Sequence, residues 1–314
     1  MPSLNTQPTA ATATTLSQRL WNAPVLLLII TILLWSGNVV VGRGVSGSVP
    51  PVALAFWRWT GAFGLVMLMA GGQLRRDMPV LLSKWKALLV LAAFGIAGYN
   101  TLLYVGLQTT TAVNALLMQS AMPVLIIASG FLLFRERVSL MQIGALIISI
   151  AGVLTIAGKG SLDALLSLTF NAGDLWIFAA VITYAIYSTL LRKRPDIHPM
   201  SFLGATFALG ALMLLPFYLA ELHAGREIKT SIGTMAAMIY TSVFPGFLAY
   251  LCFNRGVALI GANRAGQYMH LMPVFGSILA VIFLGESLYL YHFIGIGLIA
   301  VGLVVAGLAK APVK

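Results

Sequence analysis

The sequence is poor in charged residues, and this scarcity is its most informative feature. Charged residues occupy 9% of the 314 positions, whereas a soluble domain contains about 25%. The eight acidic residues lie at the edges of apolar runs, at Asp77, Glu136, Asp163, Asp174, Asp196, Glu221, Glu227 and Glu286. Because 60% of the residues are hydrophobic and the mean hydropathy is +0.96, we predict an integral membrane protein.

Cysteine and clustered metal-binding side chains are also scarce. Cys252 is the single cysteine, so an internal disulfide is excluded. His198, His223, His270 and His292 are scattered without metal-ligand spacing, and no glycine-rich phosphate loop occurs. We therefore expect no metal and no cofactor. An enzyme is disfavoured, because no nucleophile–base pair or carboxylate pair is visible.

Ten apolar runs are each long enough to cross a bilayer, which takes about 20 apolar residues. Residues 1–22 and 310–314 flank these runs, and both segments are predicted to be cytoplasmic tails, the first of them disordered. The runs span residues 23–42, 50–71, 86–107, 111–134, 139–158, 173–192, 199–220, 234–256, 262–284 and 288–309. The sequence therefore predicts an all-α polytopic membrane protein.

The basic residues predict the orientation of these spans. The formal net charge is +11 at pH 7, and the bases stand in short clusters between apolar runs, which is typical of cytoplasmic loops rather than of a nucleic-acid surface. If the N-terminus is cytoplasmic, fourteen of the 19 Lys and Arg residues lie at cytoplasmic span ends, four lie at outer ends, and Arg58 lies within a span. Both termini are predicted to be cytoplasmic, and no nucleic-acid partner is expected.

One stretch of sequence occurs twice. MPVLIIASGFLLFRERVS in the fourth run returns 150 residues later as MPVFGSILAVIFLGESLY in the ninth, so Pro123 corresponds to Pro273 and Glu136 to Glu286. Each copy then contains five spans. Because five is odd, the second copy must be inverted relative to the first, an arrangement that transporters use for alternating access. The plainer alternative is that duplication merely enlarged a helix bundle.

The two predicted repeats are residues 23–158 and 173–309, joined by a linker at 159–172. Small residues four apart, Ala145 with Ser149 and Gly302 with Ala306, would let the last helices of the two repeats approach closely in lipid.

Several segments resemble the drug/metabolite transporter superfamily and its EamA-type family. They are WSGN in the first run, PPVALAFWRW in the second, the repeated proline-to-glutamate segments, SLMQIGALIISIAGVL in the fifth and GDLWIFAAVITYAIYSTLLRKR in the sixth. The resemblance implies that spans one to four and six to nine surround a central cavity, with spans five and ten outside. Within the family the chain is similar to bacterial exporters of aromatic amino acids, which implies a multi-pass protein of the inner membrane.

Polar and aromatic residues near the middle of the spans are candidates for lining that cavity, since polar groups facing lipid are costly. Gln267 and His270 share a helix face, as do Tyr184 and Tyr187. Aromatic walls would accept apolar side chains by stacking and an ammonium by cation–π attraction. The alternative is that some of these residues only pack the bundle. The candidates are Trp35, Asn38, Tyr99, Asn100, Gln119, Trp176, Tyr184, Tyr187, Tyr250, Gln267, Tyr268 and His270.

Proline and arginine within spans are the next candidates. Pro123, Pro245 and Pro273 are predicted to bend their helices and to serve as hinges. Arg58 has three interpretations: it receives a substrate carboxylate, it pairs with helix-end carbonyls and holds spans together, or it snorkels outward along its stem.

The repeated glutamates favour a structural role. Glu136 is flanked by Arg135 and Arg137, and Ser139-x-x-Gln142 follows as a capping box. We therefore interpret Glu136 and its counterpart in the second copy as carboxylates that stabilise turns rather than carry protons.

We predict a secondary transporter that exports small metabolites by alternating access, with aromatic and other neutral amino acids as substrates. No acid is expected inside a span, so proton coupling would need His270 or a tyrosine, and a facilitator is the simpler mechanism. The alternatives are a proton-coupled efflux carrier of broader specificity and a channel-like pore. The expected partners are the small-molecule substrate and membrane lipid, and a monomer is consistent with this interpretation.

Overall fold

The computed structural model describes residues 20–135, 139–161, 163, 171–260 and 268–308. Glu136, Gln267 and most of both predicted tails lie outside these ranges. The regular structure of the described residues is entirely helical. The helices are α1 (Pro24–Gly44), α2 (Pro51–Ser83), α3 (Trp85–Gly106), α4 (Ala112–Gln119), α5 (Met122–Phe134), α6 (Leu140–Ala157), α7 (Ala172–Leu190), α8 (Pro199–His223), α9 (Ile232–Ile260), α10 (Met272–Leu284) and α11 (Leu290–Leu308).

Length and composition identify the membrane-spanning helices. Within the described part of the chain, six helices are long and apolar enough to cross a bilayer, namely α1, α2, α3, α7, α8 and α9. Helices α4 and α5 make a seventh if the pair, bent by 47°, is one span. Three further apolar segments are shorter, namely Leu140–Ile156 in α6, Met272–Leu284, which is α10, and Leu290–Gly302 in α11. The chain is therefore a helical membrane protein, and each predicted run overlaps one of these helices or the bent pair.

Helix starts follow local sequence. Proline lies in the first turn of α1, α2, α5, α8 and α10, where its missing N–H costs no hydrogen bond. The predicted capping box at the start of α6 is confirmed: Gln142 N donates to Ser139 Oγ at 3.2 Å, and Ser139 N donates to Gln142 Oε1 at 2.9 Å.

Polar contacts bring a defined set of helix ends together. Arg43 Nη1 at the end of α1 donates to the carbonyl of Leu107 after α3 at 2.8 Å. Lys229 N, before α9, donates to the carbonyl of Ser48, before α2, at 2.9 Å. Asn171 Nδ2, before α7, donates to a carbonyl after α3 at 2.7 Å. One end of the bundle therefore contains the ends of α1 and α3 and the starts of α2, α7 and α9.

Two glutamates cap helices at this same end. Glu221, near the end of α8, accepts from the backbone N–H groups of Val52 and Ala53 in the first turn of α2, at 3.3 and 2.9 Å. Glu286, just after α10, accepts from Ala112 N and the next N–H of α4, at 2.8 and 2.9 Å. A carboxylate at a helix N-terminus satisfies free N–H groups and complements the helix dipole. We call this the capped end of the bundle.

Helices α6 and α11 pack against each other and reach the rest of the bundle through α4 and α5. Their contact is made by small residues: a Cβ on Gly152 would lie 2.6 Å from the carbonyl oxygen of Gly295, and a Cβ on Gly302 would lie 2.8 Å from that of Ala145. Ser149 is 1% exposed in the same contact. The predicted small-residue approach therefore joins α6 to α11 at Ala145, Ser149 and Gly302.

This contact predicts a position-specific loss of stability. Gly302→Ala is expected to lower the free energy of unfolding by about 1–3 kcal/mol, because its methyl group meets the α6 backbone and forces the helices apart. Gly297→Ala on the same helix is the matched control, since no atom lies within 4 Å of its Cβ position. The difference in stability is measured by thermal unfolding in detergent, with unfolding monitored as a dye labels the exposed thiol of Cys252, which is buried in the folded protein. Equal midpoints for the two variants would contradict the packing.

Candidate functional site

A small cavity lies at the centre of the bundle and is surrounded by α1, α2, α3, α5, α7, α9 and the start of α10. Its volume is about 30 Å³, little more than one water molecule needs. Any larger ligand therefore requires the helices to separate. Helices α6 and α11 contribute none of the lining residues, which are Trp35, Asn38, Arg58, Tyr99, Asn100, Met122, Tyr184, Tyr250, Met269 and Met272.

Aromatic rings form much of the cavity wall. Trp35 meets Tyr250 edge to face with ring centroids 5.6 Å apart. The ring centroids of Tyr99 and Tyr184 are 4.8 Å apart. Tyr187 packs behind Tyr184, with 5.5 Å between their ring centroids. Of the predicted residues, Trp35, Tyr99, Tyr184 and Tyr250 thus line the cavity together with Asn38, whereas Tyr187 supports the wall from behind.

Gln119 supports the wall through Tyr99. The Tyr99 hydroxyl donates to Gln119 Oε1 at 2.6 Å, and Gln119 Nε2 donates to the carbonyl of Ala115 at 3.1 Å. Gln119 is the last residue of α4, immediately before the bend that leads to α5. The amide therefore fixes the orientation of Tyr99 without lining the cavity itself.

Arg58 is the charged residue of the cavity, and it is 2% exposed. Its Nη1 donates to Asn38 Oδ1 and, at 3.0 Å, to the Tyr104 hydroxyl, while Nη2 donates to the carbonyl of Pro245 at 3.1 Å. Its guanidinium carbon lies 4.7 Å from the ring centre of Trp59. Arg58 thus joins α1, α3 and α9 to α2.

Two π-helical segments flank the cavity at corresponding positions of the two repeats. They cover Ala92–Gly98 in α3 and Ser242–Leu248 in α9, which are 150 residues apart. Single π-turns widen a helix and occur frequently at functional sites. Here one precedes Tyr99 and Asn100, and the other precedes Tyr250. The glycines in both segments were the sequence signal for these features, which the sequence analysis did not extract.

Pro123 and Pro273 lie directly after helix breaks. They were predicted to bend their helices, and they occupy the first turns of α5 and α10, with the α4–α5 pair bent by 47°. The α4–α5 break and the 3₁₀ turn Tyr268–Leu271 precede them, so neither proline removes a hydrogen bond from a helix interior. Pro245 does lie inside a helix, within the π-helical segment of α9.

Trp176 lies away from the central cavity. Trp176 is in the second turn of α7, 45% exposed, and lines an open cavity of about 860 Å³ at the capped end rather than the central cavity. The prediction of a midplane position is therefore wrong, because α7 begins at the capped end. His270 belongs to the 3₁₀ turn, of which the backbone is described, and Gln267 is outside the described residues.

Asp174 lies at the edge of its apolar run, as predicted, in the first turn of α7. It is nevertheless buried, with 1% of its surface exposed. It accepts from the Thr110 hydroxyl and, at 3.5 Å, from Asn114 Nδ2. His292 accepts from a backbone N–H through Nδ1, so its Nε2 carries the proton and donates to Asn114 Oδ1 at 2.9 Å. The N-terminus of α7 and the hydrogen bonds from Thr110 and Asn114 therefore stabilise the buried Asp174 side chain.

Methionine and buried aromatic residues were missed by the sequence analysis. Met122, Met269 and Met272 line the cavity, and Tyr104 holds Arg58. Trp59 was not among the candidates, although it is completely buried and its ring lies against Arg58. Methionines are common in any apolar span, so composition alone carries no signal for these positions.

The protein is thus a helical membrane protein whose spans surround a small central cavity, an arrangement that suits a membrane transporter. The chain matches the EamA-like transporter family twice, over residues 22–158 and 171–308. It therefore belongs to the EamA-like transporter family, whose members are transporters of small molecules and not enzymes. Within the described residues, no group of three His, Cys, Asp or Glu side chains is arranged to hold a metal ion.

Individual relatives agree with this assignment. The Bacillus subtilis (strain 168) protein named uncharacterized transporter YyaM is 27% identical over 273 residues, 85% of this chain and 88% of the relative. An uncharacterized transporter of Archaeoglobus fulgidus is 28% identical over 286 residues, 91% of this chain and 97% of its own. The uncharacterized inner membrane transporter YicL of Salmonella typhimurium strain LT2 is 26% identical over 67% of this chain and 68% of its own.

A crystal structure shares the fold. It aligns over 91% of this chain and 98% of its own with a TM-score of 0.61 and 21% sequence identity. This similarity supports the helical architecture over nearly the full length of the chain.

The glutamate cap of α4 predicts a charge-specific loss of stability. Glu286→Gln is expected to lower the free energy of unfolding by about 1–2 kcal/mol, because the amide NH₂ cannot accept from one of the two N–H groups that the carboxylate serves. Glu227→Gln, at an exposed residue of the same end, is the control and should leave stability unchanged. Thermal unfolding of both variants measures this, and an unchanged Glu286→Gln midpoint would refute the cap.

Proposed function

We propose that this protein is a secondary carrier that exports small metabolites, with aromatic and other neutral amino acids as its substrates. It would move them across the bacterial inner membrane by alternating access, as a facilitator that needs no proton gradient. The single observation that carries this proposal is the small central cavity, which lies between helices of both family matches and is walled by aromatic and methionine side chains.

The proposed topology is ten spans in two inverted repeats, residues 23–158 and 173–309. Helix directions support it: α1 ends at the capped end, whereas α7, the first helix of the second repeat, begins there. In the same way α2 begins and α8 ends there. Two oppositely oriented copies around one cavity can exchange conformations, and the cavity then opens to one side or the other. The proposed hinges are Pro123 and Pro273, at helix breaks, and Pro245, within the π-helical segment of α9.

The basic residues support an orientation with both termini in the cytoplasm, which places the capped end outside. The name of the Salmonella typhimurium relative, an inner membrane transporter, supports the proposed location.

The cavity wall supports the substrate class. Trp35, Tyr99, Tyr184 and Tyr250 offer ring faces and edges to an aromatic or apolar side chain. Methionine side chains are flexible and adapt to ligands of different shape, which suits several neutral amino acids.

The small size of the cavity favours a carrier over a pore. A cavity of about 30 Å³ cannot hold an amino acid, so the helices would have to separate before a substrate enters, as in a carrier. None of the ten lining residues is acidic, so a carboxylate for proton coupling is absent from the described wall. A proton-coupled carrier of broader specificity and a channel-like pore are the outcomes that the following experiment separates.

Flux measurements in liposomes test the proposal. Purified protein in sealed vesicles is expected to exchange labelled phenylalanine, methionine and threonine in counterflow without an imposed pH difference. Flux that appears only with a pH difference would favour the proton-coupled alternative. Transport rates that do not saturate with substrate concentration, together with unitary currents, would favour a pore.

Cavity variants sharpen this test. Tyr99→Ala and Tyr184→Ala are expected to weaken apparent substrate affinity about 3- to 10-fold, because each removes ring contacts within the cavity. Trp85→Ala, which removes an aromatic ring that is 52% exposed outside the cavity, is the control. If all three variants have the same affinity as the wild type, these tyrosines do not contact the substrate.

A further inference from the structure

We propose that Arg58 and Asn100 together bind the carboxylate group of the transported substrate. Under this proposal the carrier recognises a carboxylate attached to an apolar body, and an ammonium group is tolerated but not required. The proposal rests on the proposed function and specifies the chemistry of the same cavity.

Asn100 has hydrogen-bonding capacity that the protein leaves unused. It is 1% exposed and lines the central cavity, yet neither Oδ1 nor Nδ2 has a hydrogen-bond partner. Buried polar groups are nearly always paired, so an amide left open at a cavity wall indicates a ligand that completes it. Nδ2 is a donor, as a carboxylate requires.

Arg58 supplies the charge. A guanidinium carries five N–H donors, and three contacts engage it: Asn38, Tyr104 and the Pro245 carbonyl. Its Nε is buried without a partner. All three partners are neutral, so the positive charge at the cavity is not neutralised by any of them. A substrate carboxylate would supply the missing negative charge and accept hydrogen bonds from the guanidinium N–H groups that have no partner.

The cavity offers much less to an ammonium group. Asn38 Oδ1 already accepts from both Arg58 and the Tyr104 hydroxyl at 2.7 Å, which uses its two lone pairs. The described lining residues include no acid, and Trp35, Met122, Met269 and Met272 are apolar or aromatic. Like-charge repulsion from Arg58 further disfavours a ligand that carries a cation alone.

A matched ligand series on the wild-type carrier tests the proposal. Three unlabelled compounds compete against labelled phenylalanine in counterflow. They are phenylalanine itself, 3-phenylpropionate, which lacks the ammonium group, and phenylalanine methyl ester, which lacks the free carboxylate. We expect 3-phenylpropionate to compete within about 3-fold of phenylalanine and the ester to be at least about 10-fold weaker. A thermal-shift titration with the same three compounds gives an independent measure of binding.

Substitutions at Asn100 then test the residue. Asn100→Asp places a negative charge beside the site. It is expected to lower the apparent affinity for 3-phenylpropionate at least about 10-fold and to lower the apparent affinity for the ester less. Asn100→Leu removes the donor while costing the fold no hydrogen bond. Thr101→Val is the matched control, since it removes an equally unpaired hydroxyl from the next residue, which does not line the cavity.

The outcomes separate the two proposals. If no compound exchanges in counterflow and none shifts thermal unfolding, the proposed function fails. If phenylalanine exchanges but the ester competes as strongly as 3-phenylpropionate does, the proposed carrier function is retained and the proposed carboxylate recognition is overturned. The wild-type ligand series decides this even if an Asn100 variant does not fold.

Discussion

A buried positive charge without a carboxylate partner is the constraint around which the rest of the bundle is arranged. Arg58 lies where neither lipid nor bulk water can solvate it, so its N–H groups need acceptors from the protein or from a ligand. Three different helices supply acceptors through Asn38, Tyr104 and the Pro245 carbonyl, while Nε is left without a partner. The π-helical turn in α9 aims a carbonyl inward, and the Trp59 ring covers the guanidinium. One side chain therefore couples both repeats to the cavity they enclose.

The second constraint is that backbone N–H groups near lipid need partners. At the capped end, Glu221 and Glu286 each reach from the second repeat to the first turn of a helix in the first repeat. At other helix starts proline removes the unpaired N–H altogether. Of the eight acidic residues, Glu221 and Glu286 form such caps, and Asp174 lies in the first turn of α7. The repeats are thus joined by charge-assisted contacts at the capped end and by a buried cation at the centre.

Periodic and local features could be predicted from the sequence, and contacts between distant segments could not. Apolar run length located the helices, and Ser139 with Gln142 located a capping box, because both depend on neighbouring residues. Glu286 was assigned to its own turn because its true partner, the first turn of α4, is 174 residues away. Trp176 was misplaced for a related reason, since depth in the membrane depends on where α7 begins. Asn100 was visible as a polar residue, but its lack of a partner is a property of the packed structure.

The central claim is that two oppositely oriented repeats open one cavity to each side of the membrane in turn. Distances between spin labels at both ends of the bundle test it most directly, with one pair at Gly47 and Arg226 of the capped end and another at Leu82 and Lys193 of the opposite end. Saturating substrate is predicted to shift the two distance distributions in opposite directions, one pair closing as the other separates. Both pairs separating together, or neither changing while substrate is transported, would contradict the account.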